Sequence, residues 1–269
     1  FLDRAAALLG ERPRVLSGED EARATFAGAL SGLRLEGEVA VLDVGGGSTE
    51  WVVGRHTPEG IKVRSAQSAN VGSVRLTERF VHSDPPGRAE RQAARAAARE
   101  AFASLTTAAP FRGAEALASL TTAAPFRGAE ALASLATAAP FRGDEALASL
   151  TTAAPFQGAL VGVAGTVTTF AALHAGQHPY DGARMHGTRL ARADIEAALE
   201  RVAALPLAER SQLPGLDPAR ADVIVAGGEV LLAALDWCGA TSLHVSDRGV
   251  RWGLAAERAG LRRLDGRAG

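Results

Sequence analysis

The sequence predicts an α/β domain in which helices layer on a sheet, and three observations carry that expectation. Three β-type runs, Val39–Val44, Glu50–Val53 and Ile61–Ala69, follow one another with only turns between them, as a meander does. Two later short runs, Leu160–Ala164 and Leu243–Val245, alternate with helical patterns, as in layered α/β folds. The chain has 269 residues, 47% of them hydrophobic, enough for a real core in one or two domains.

The elements read in order as follows. "FLDRAAALLG" is a helix ending at Gly10, and Pro13 to Ser17 is a candidate short strand. "GEDEARATFAGAL" is helical, with acids in its first turn where the helix dipole favours them. The three meander strands come next. "VGSVRLTERF" opens a helix, and "PPGRAERQAARAAAREAFASL" is a longer one preceded by Pro85 and Pro86. The strand Leu160–Ala164 leads into the helix "GTVTTFAALHAG". "ARADIEAALERVAAL" is amphipathic, with Asp194 as the capping candidate. Asp217 is placed to cap "PARADVIVAGGEVLLAALDWCG", with Pro218 at the favoured first helical position. A strand at Leu243–Val245 and the helix "RGVRWGLAAERAG" complete the domain.

One segment departs from this pattern. "ASLTTAAPFRGAEAL" begins at Ala103 and recurs at Ala118, at Ala133 with small changes, and in part at Ala148. The period of 15 residues is shorter than that of solenoid repeats. Each unit offers helix-compatible residues and then Pro-Phe-Arg-Gly as a breaker, so short helices separated by turns, or partial disorder, are expected over 103–158. The simplest interpretation is a tolerated surface insertion; the alternative is a binding array.

Bulk properties exclude several function classes. The net charge of −1 provides no global field for nucleic acid or an acidic membrane. A single cysteine, Cys238, excludes an intramolecular disulfide framework and a multi-cysteine metal site. No apolar run reaches the roughly 18 residues of a membrane span, and no signal peptide is visible, so a reducing cytoplasmic compartment is expected. The six histidines, His56, His82, His174, His178, His186 and His244, show no metal-ligand spacing and read as surface or core residues. Arg88, Arg91, Arg95 and Arg99 fall on one helical face, read as solvated, with a track for a long polyanion as the sharper alternative.

The chemistry concentrates in "VLDVGGGSTEWVVG". A P-loop requires Gly-Lys-Ser/Thr, and the only lysine in the chain is Lys62. A dinucleotide fingerprint opens a helix, whereas Trp51-Val-Val53 favours a strand. What remains is strand, glycine turn, strand. It is either a plain tight hairpin or a nest of backbone N–H groups that binds an anion without a lysine, with Ser48 and Thr49 adding hydroxyls. Asp43 would repel a bare phosphate, but with Mg²⁺ it becomes useful. A second turn, Gly165-Thr166, precedes a helix whose N-terminus is also an anion site. At Gly227 and Gly228, inside an apolar stretch, close packing is favoured.

These stretches, with "LSGEDEARATF", "SANVGSVRLTERF", "LVGVAGTVTTFAAL", "YDGARMHGTRLARADIEAAL", "RSQLPGLDPARADVIVAGGEVL" and "LHVSDRGVRWGLAAER", occur in the order that resembles the Ppx/GppA phosphatase family of exopolyphosphatases and guanosine pentaphosphate phosphohydrolases. The resemblance covers nearly all the chain outside 103–158. It implies a ribonuclease-H-like α/β lobe of the actin/Hsp70/hexokinase-like superfamily, with the active site in a cleft between two lobes. Hydrolysis of terminal phosphate by water with Mg²⁺ is then expected, on polyphosphate or on a phosphorylated guanosine nucleotide. A catalytically inactive phosphate- or nucleotide-binding module is the reading from another class.

By the same resemblance Glu21 is the base that activates water and Asp43 helps to hold the metal, with Glu50 in the metal or water network. Gly45, Gly46, Gly47 and Ser48 cradle phosphate, and Gly165 and Thr166 form the second turn facing the cleft. Family members begin with a further lobe segment that carries another phosphate loop. Residues 1–36 are therefore expected to be a remnant of the first lobe, and 37–269 the second, with the first lobe largely missing. Such a chain is expected to be active only when extended upstream. No nucleic acid or membrane partner is expected, and the resemblance leaves a homodimer open.

Overall fold

A computed structural model describes residues 2–105 and 156–260. The expectation for the 15-residue repeats falls almost wholly outside that range. Six strands form one sheet in the order β3-β2-β1-β4-β6-β5. They are β1 (Gly37–Val44), β2 (Thr49–Thr57), β3 (Gly60–Ala69), β4 (Ala159–Val163), β5 (Arg189–Ala191) and β6 (Ser242–Val245). The first three form the expected antiparallel meander, while β1, β4 and β6 run parallel and β5 closes one edge antiparallel to β6. This is the α/β, ribonuclease-H-like lobe that the sequence leads one to expect.

Strand alternation sorts the two faces of the sheet. Val39 and Val41 of β1, with Val52, Val161 and Val163, meet Ala22, Phe26, Ala29 and Leu30 of helix α2 (Gly18–Leu30). The terminal helix α10 (Val250–Arg258) packs on α2 at glycine contacts so close that a Cβ at Gly253 would lie 1.9 Å from the Ala24 carbonyl oxygen. Helix α1 (Leu2–Leu9) has no buried residue. Ala40, Leu42 and Val44 turn to the opposite face, where the larger core lies. That face carries α3 (Ser73–Phe80), α4 (Arg88–Ala103), α5 (Ala164–Ala175), the short α6 (Gly182–Met185), α7 (Arg192–Ala203), the short α8 (Leu207–Arg210) and α9 (Ile224–Cys238). Gly227 and Gly228 of α9 are packing glycines, as expected: added Cβ atoms would meet Thr166 and Phe170 at 2.9 and 2.5 Å.

The structure corrects three details and refines one. Pro13 to Ser17 has no strand partner and carries an exposed Val15, because a short β-type run without a sheet edge beside it gains nothing from its propensity. Asp194 does cap α7, but from inside its first turn, where its carboxylate accepts from the Ala191 N–H at 3.0 Å. Asp217 caps only a 3₁₀ turn, Pro218–Arg220, and α9 starts separately at Ile224. The arginine face of α4 is not simply solvated. Arg91 and Arg95 both donate to Glu229, a carboxylate only 2% exposed on α9, at 2.9 and 2.5 Å, and Arg99 pairs with Asp236 at 2.8 Å. Arg91 also pairs with Glu200.

The two described ends of the repeat segment lie on one aromatic cluster. Phe102, at the end of α4, stacks on Trp237, which meets Trp51 edge-on. Phe156 meets the same Trp51 edge-on at 5.6 Å, and its N–H donates to the Cys238 carbonyl.

Candidate active site

Three parallel strands deliver their C-terminal ends to one edge of the sheet, the place where open α/β sheets bind ligands. Asp43 of β1 is in register with Val163 of β4, and Gly162 of β4 with Val245 of β6. The segments that leave these ends, Gly45–Ser48, Ala164–Thr166 and Ser246–Asp247, therefore lie side by side. Asp43, Ala164, Gly165, Ser246 and Asp247 share the lining of an open cleft of about 1070 Å³.

The glycine loop is held from behind by α3. The Gly45 N–H closes the turn on the Ser48 carbonyl at 3.0 Å. The Gly45 and Gly46 carbonyls accept from the N–H groups of Ser73 and Arg75, each at 3.0 Å. The Gly47 carbonyl accepts from Arg75 Nε at 2.9 Å. In a planar trans peptide the N–H points opposite to the C=O. With three successive carbonyls turned to α3, the N–H groups of Gly46, Gly47 and Ser48 are directed away from it, and no hydrogen-bond partner for them is present among the described residues. The approach requires glycine on the helix side too: a Cβ at Gly72 would lie 2.5 Å from the Gly46 oxygen. Thr49, whose hydroxyl was a candidate donor to a ligand, instead bonds the Val71 carbonyl at 2.7 Å.

The carboxylates gather at the same end. Alternation along β1 puts Asp43 on the α2 face with Val39 and Val41. Glu50 is its cross-strand neighbour, held by Ser68 Oγ at 3.2 Å. Glu21 is exposed in the first turn of α2, after an N-cap in which Ser17 Oγ accepts from Asp20 N at 3.1 Å. Burial, then the charges of Glu50 and Glu21, push the Asp43 carboxyl up to about 6. The neighbouring carboxylates Asp43 and Glu50 offer oxygen donors only, the kind a hard cation takes. Among the described residues no group of three or more His, Cys, Asp or Glu is arranged so that it could hold a metal ion. One or two carboxylates completed by waters and substrate phosphate is the pattern Mg²⁺ favours.

The far wall of the cleft comes from later segments. Arg220 lies across Gly165, where an added Cβ would sit 1.6 Å from its Nη1. Among the described residues Arg220 and Arg251, both cleft-lining, have no ion-pair partner. Tyr180 donates to Asp247 Oδ1 at 2.5 Å, and burial together with this carboxylate raises the phenol above its ordinary range. Tyr180 and Trp252 are 47% and 49% exposed, and Arg248 stacks on Trp252 at 4.5 Å. Ala164 is the one non-glycine with positive φ (68°) among the described residues, a strained position at a ligand-facing turn.

The structure thus brings Glu21 and Glu50 within electrostatic reach of Asp43, at the end of the strand that leads into the Gly45–Ser48 loop, and of these predicted residues Asp43 and Gly165 line the cleft. Thr166 is 5% exposed and its side chain faces Gly227 under α9, so only its backbone N–H, in the first turn of α5, points to the ligand side. Thr168 and Thr169 line the cleft instead, as do His178 and Asp217. Sequence reasoning passed over Arg75, Tyr180 and Asp247, and it gave no role to Arg220 and Arg251, which fall within the family-like motifs. No local pattern marks them: Arg75 and Arg220 meet glycine turns in space, at Gly47 and Gly165, but lie far from those turns in the chain.

A family model described as the Ppx/GppA phosphatase family matches residues 1–140 and 130–260. Exopolyphosphatase 2 of Mycobacterium tuberculosis is 31% identical over 261 residues, which take in 95% of this chain and 66% of that protein. A guanosine-5'-triphosphate,3'-diphosphate pyrophosphatase of Vibrio parahaemolyticus is 35% identical over 80 residues, 30% of this chain and 15% of that protein. The crystal structure of the Aquifex aeolicus member of the Ppx/GppA family superposes with a TM-score of 0.71 at 28% identity, over 97% of this chain and 68% of that one. The chain spans about two thirds of the length of the curated relative it matches along most of its own length.

Proposed function

The chain belongs to the Ppx/GppA phosphatase family, and on that premise we propose that it is a phosphoanhydride hydrolase releasing terminal phosphate from inorganic polyphosphate. The observation that carries the reading is Asp43, a partly buried acid between Glu21 and Glu50, beside a loop whose free N–H groups face the same edge. The substrate assignment takes its support from the exopolyphosphatase relative.

The residues divide the work as follows. Oxygens of the terminal phosphate accept from the N–H groups of Gly46, Gly47 and Ser48 and from the Ser48 hydroxyl. The first turn of α5, at Gly165 and Thr166, offers further N–H donors to the adjoining phosphate. Asp43 and Glu50 hold Mg²⁺, which supplies neutralisation of phosphate charge when bound. Glu21 orients a water and takes its proton as the water oxygen bonds to phosphorus and the bridging P–O bond breaks. The products are orthophosphate and a chain one unit shorter.

A second substrate class, a guanosine nucleotide bearing a 5'-triphosphate, is favoured by one observation: Tyr180 and Trp252 expose about half of their surfaces on the cleft wall, where a base can stack.

The test is phosphate release from polyphosphate and from guanosine pentaphosphate, with Mg²⁺ and with EDTA. It is run on this chain and on a form extended upstream to the length of the curated relative. Glu21→Gln is expected to lower turnover by about 10²-fold or more while its melting temperature stays unchanged, since general-base catalysis contributes on that scale and Glu21 is exposed. Full turnover in Glu21→Gln sinks the base assignment. Release from neither substrate by either form sinks the hydrolase reading and leaves a phosphate-binding module.

A further inference from the structure

A glycine loop binds an anion only while its carbonyls are turned away from it, and glycine itself does little to enforce this. Without a Cβ, each peptide of Gly45–Gly47 can flip at low cost. Two of the three carbonyls are fixed by backbone N–H groups, those of Ser73 and Arg75. The third, on Gly47, is fixed by a side chain, Arg75 Nε at 2.9 Å. Gly47 is also the exposed residue of the loop, so no packing takes over that task. The Gly47 carbonyl and the Ser48 N–H belong to one rigid peptide plane.

We propose that Arg75 is a positioning residue for the phosphate loop: its Nε–H holds the Gly47 carbonyl and thereby aims the Ser48 N–H at bound phosphate. The inference rests on the reading of Gly45–Ser48 as a phosphate site. It assigns the work to one N–H at a defined bond count from Cα, not to the charge of the guanidinium.

That distinction makes the idea testable. The amide nitrogen of a glutamine lies as many bonds from Cα as the Nε of an arginine, so Arg75→Gln keeps a donor at the right reach and loses the charge. Arg75→Lys keeps the charge but has a methylene at that point, and Arg75→Met loses both. Binding of inorganic phosphate is measured on the full chain by titration, with the amide resonances of Gly46 and Ser48 followed by NMR. Wild type and Arg75→Gln are expected to bind within about threefold of each other. Arg75→Lys and Arg75→Met are expected to bind about tenfold more weakly, the scale of one hydrogen bond to a charged group. In Arg75→Met the phosphate-induced shift of the Ser48 amide disappears while that of Gly46 persists. Equal affinity of Arg75→Met and wild type overturns the proposal, and so does the reverse order, with Arg75→Lys retaining affinity and Arg75→Gln losing it. A wild-type chain that binds no phosphate overturns the loop reading and this inference with it.

Discussion

Replacing Asp43 by asparagine should make the metal-free protein more stable at neutral pH. The carboxyl has an ordinary value of 3.8 and is pushed up to about 6 in the folded chain, first by burial and then by Glu50 and Glu21. Below pH 4 the group is protonated in both folded and unfolded chains and contributes nothing. Between pH 4 and 6 the unfolded chain releases its proton first, so it binds fewer protons than the native state and stability falls as pH rises. Above pH 6 the full cost is present. At about 1.4 kcal/mol per pH unit, the interval corresponds to at most about 3 kcal/mol, and screening at the open cleft reduces it to about 1–3 kcal/mol. Asparagine keeps the shape and removes the charge. The assay is thermal unfolding of wild type and Asp43→Asn in EDTA from pH 4 to 8. At roughly 2–4 °C per kcal/mol for a chain of this size, the variant should melt several degrees higher at pH 8 and no higher at pH 4. Adding Mg²⁺ should raise wild type and leave Asp43→Asn nearly unmoved. A variant that melts no higher than wild type at pH 8, or a gap that does not shrink towards pH 4, refutes the account of a strained acid cluster.

Three further outcomes follow from the loop contacts. Gly72→Ala should destabilise by about 1–3 kcal/mol, read by urea denaturation, because its Cβ would lie 2.5 and 2.7 Å from the fixed oxygens of Gly46 and Gly45. Ala164→Gly should stabilise by about 1 kcal/mol, since left-handed backbone costs an L-residue about 1–2 kcal/mol and Ala164 has φ 68°; an unchanged melting temperature would count against strain there. Gly165→Ala should leave the melting temperature within a degree or two of wild type yet raise KM for polyphosphate, because the Cβ displaces only the flexible end of Arg220.

The meander, the main helices and the glycine loop were legible because each is a local pattern. Val39 to Val44 sends alternate residues to two buried faces, which a run apolar at nearly every position allows. Asp43 was legible as a polar residue closing an apolar run. The grouping of Glu21 and Glu50 with it came only from the family resemblance, because the three acids lie on different elements and no local pattern links them. The arginine face of α4 shows the same limit. Its partners Glu229 and Asp236 lie more than 130 residues away. Glu229, a lone acid in "VIVAGGEVLLAAL", signals that a buried charge needs a counterion, but not which one. Arg75 escaped notice for a different reason. Its role depends on a single side-chain hydrogen bond to a carbonyl, and no residue pattern encodes which carbonyl is free to receive it. The short strand β5 and helices α6 and α8 are too brief to show a period.

The aromatic cluster bears on how the repeats can change in number. Chain leaving α4 at Phe102 and chain returning at Phe156 rest on the same pair of tryptophans, Trp237 and Trp51. The clasp fixes the distance between exit and re-entry independently of what connects them. Exit and re-entry are therefore anchored by Trp51, Phe102, Phe156 and Trp237, residues of the described fold, whatever the number of units between them.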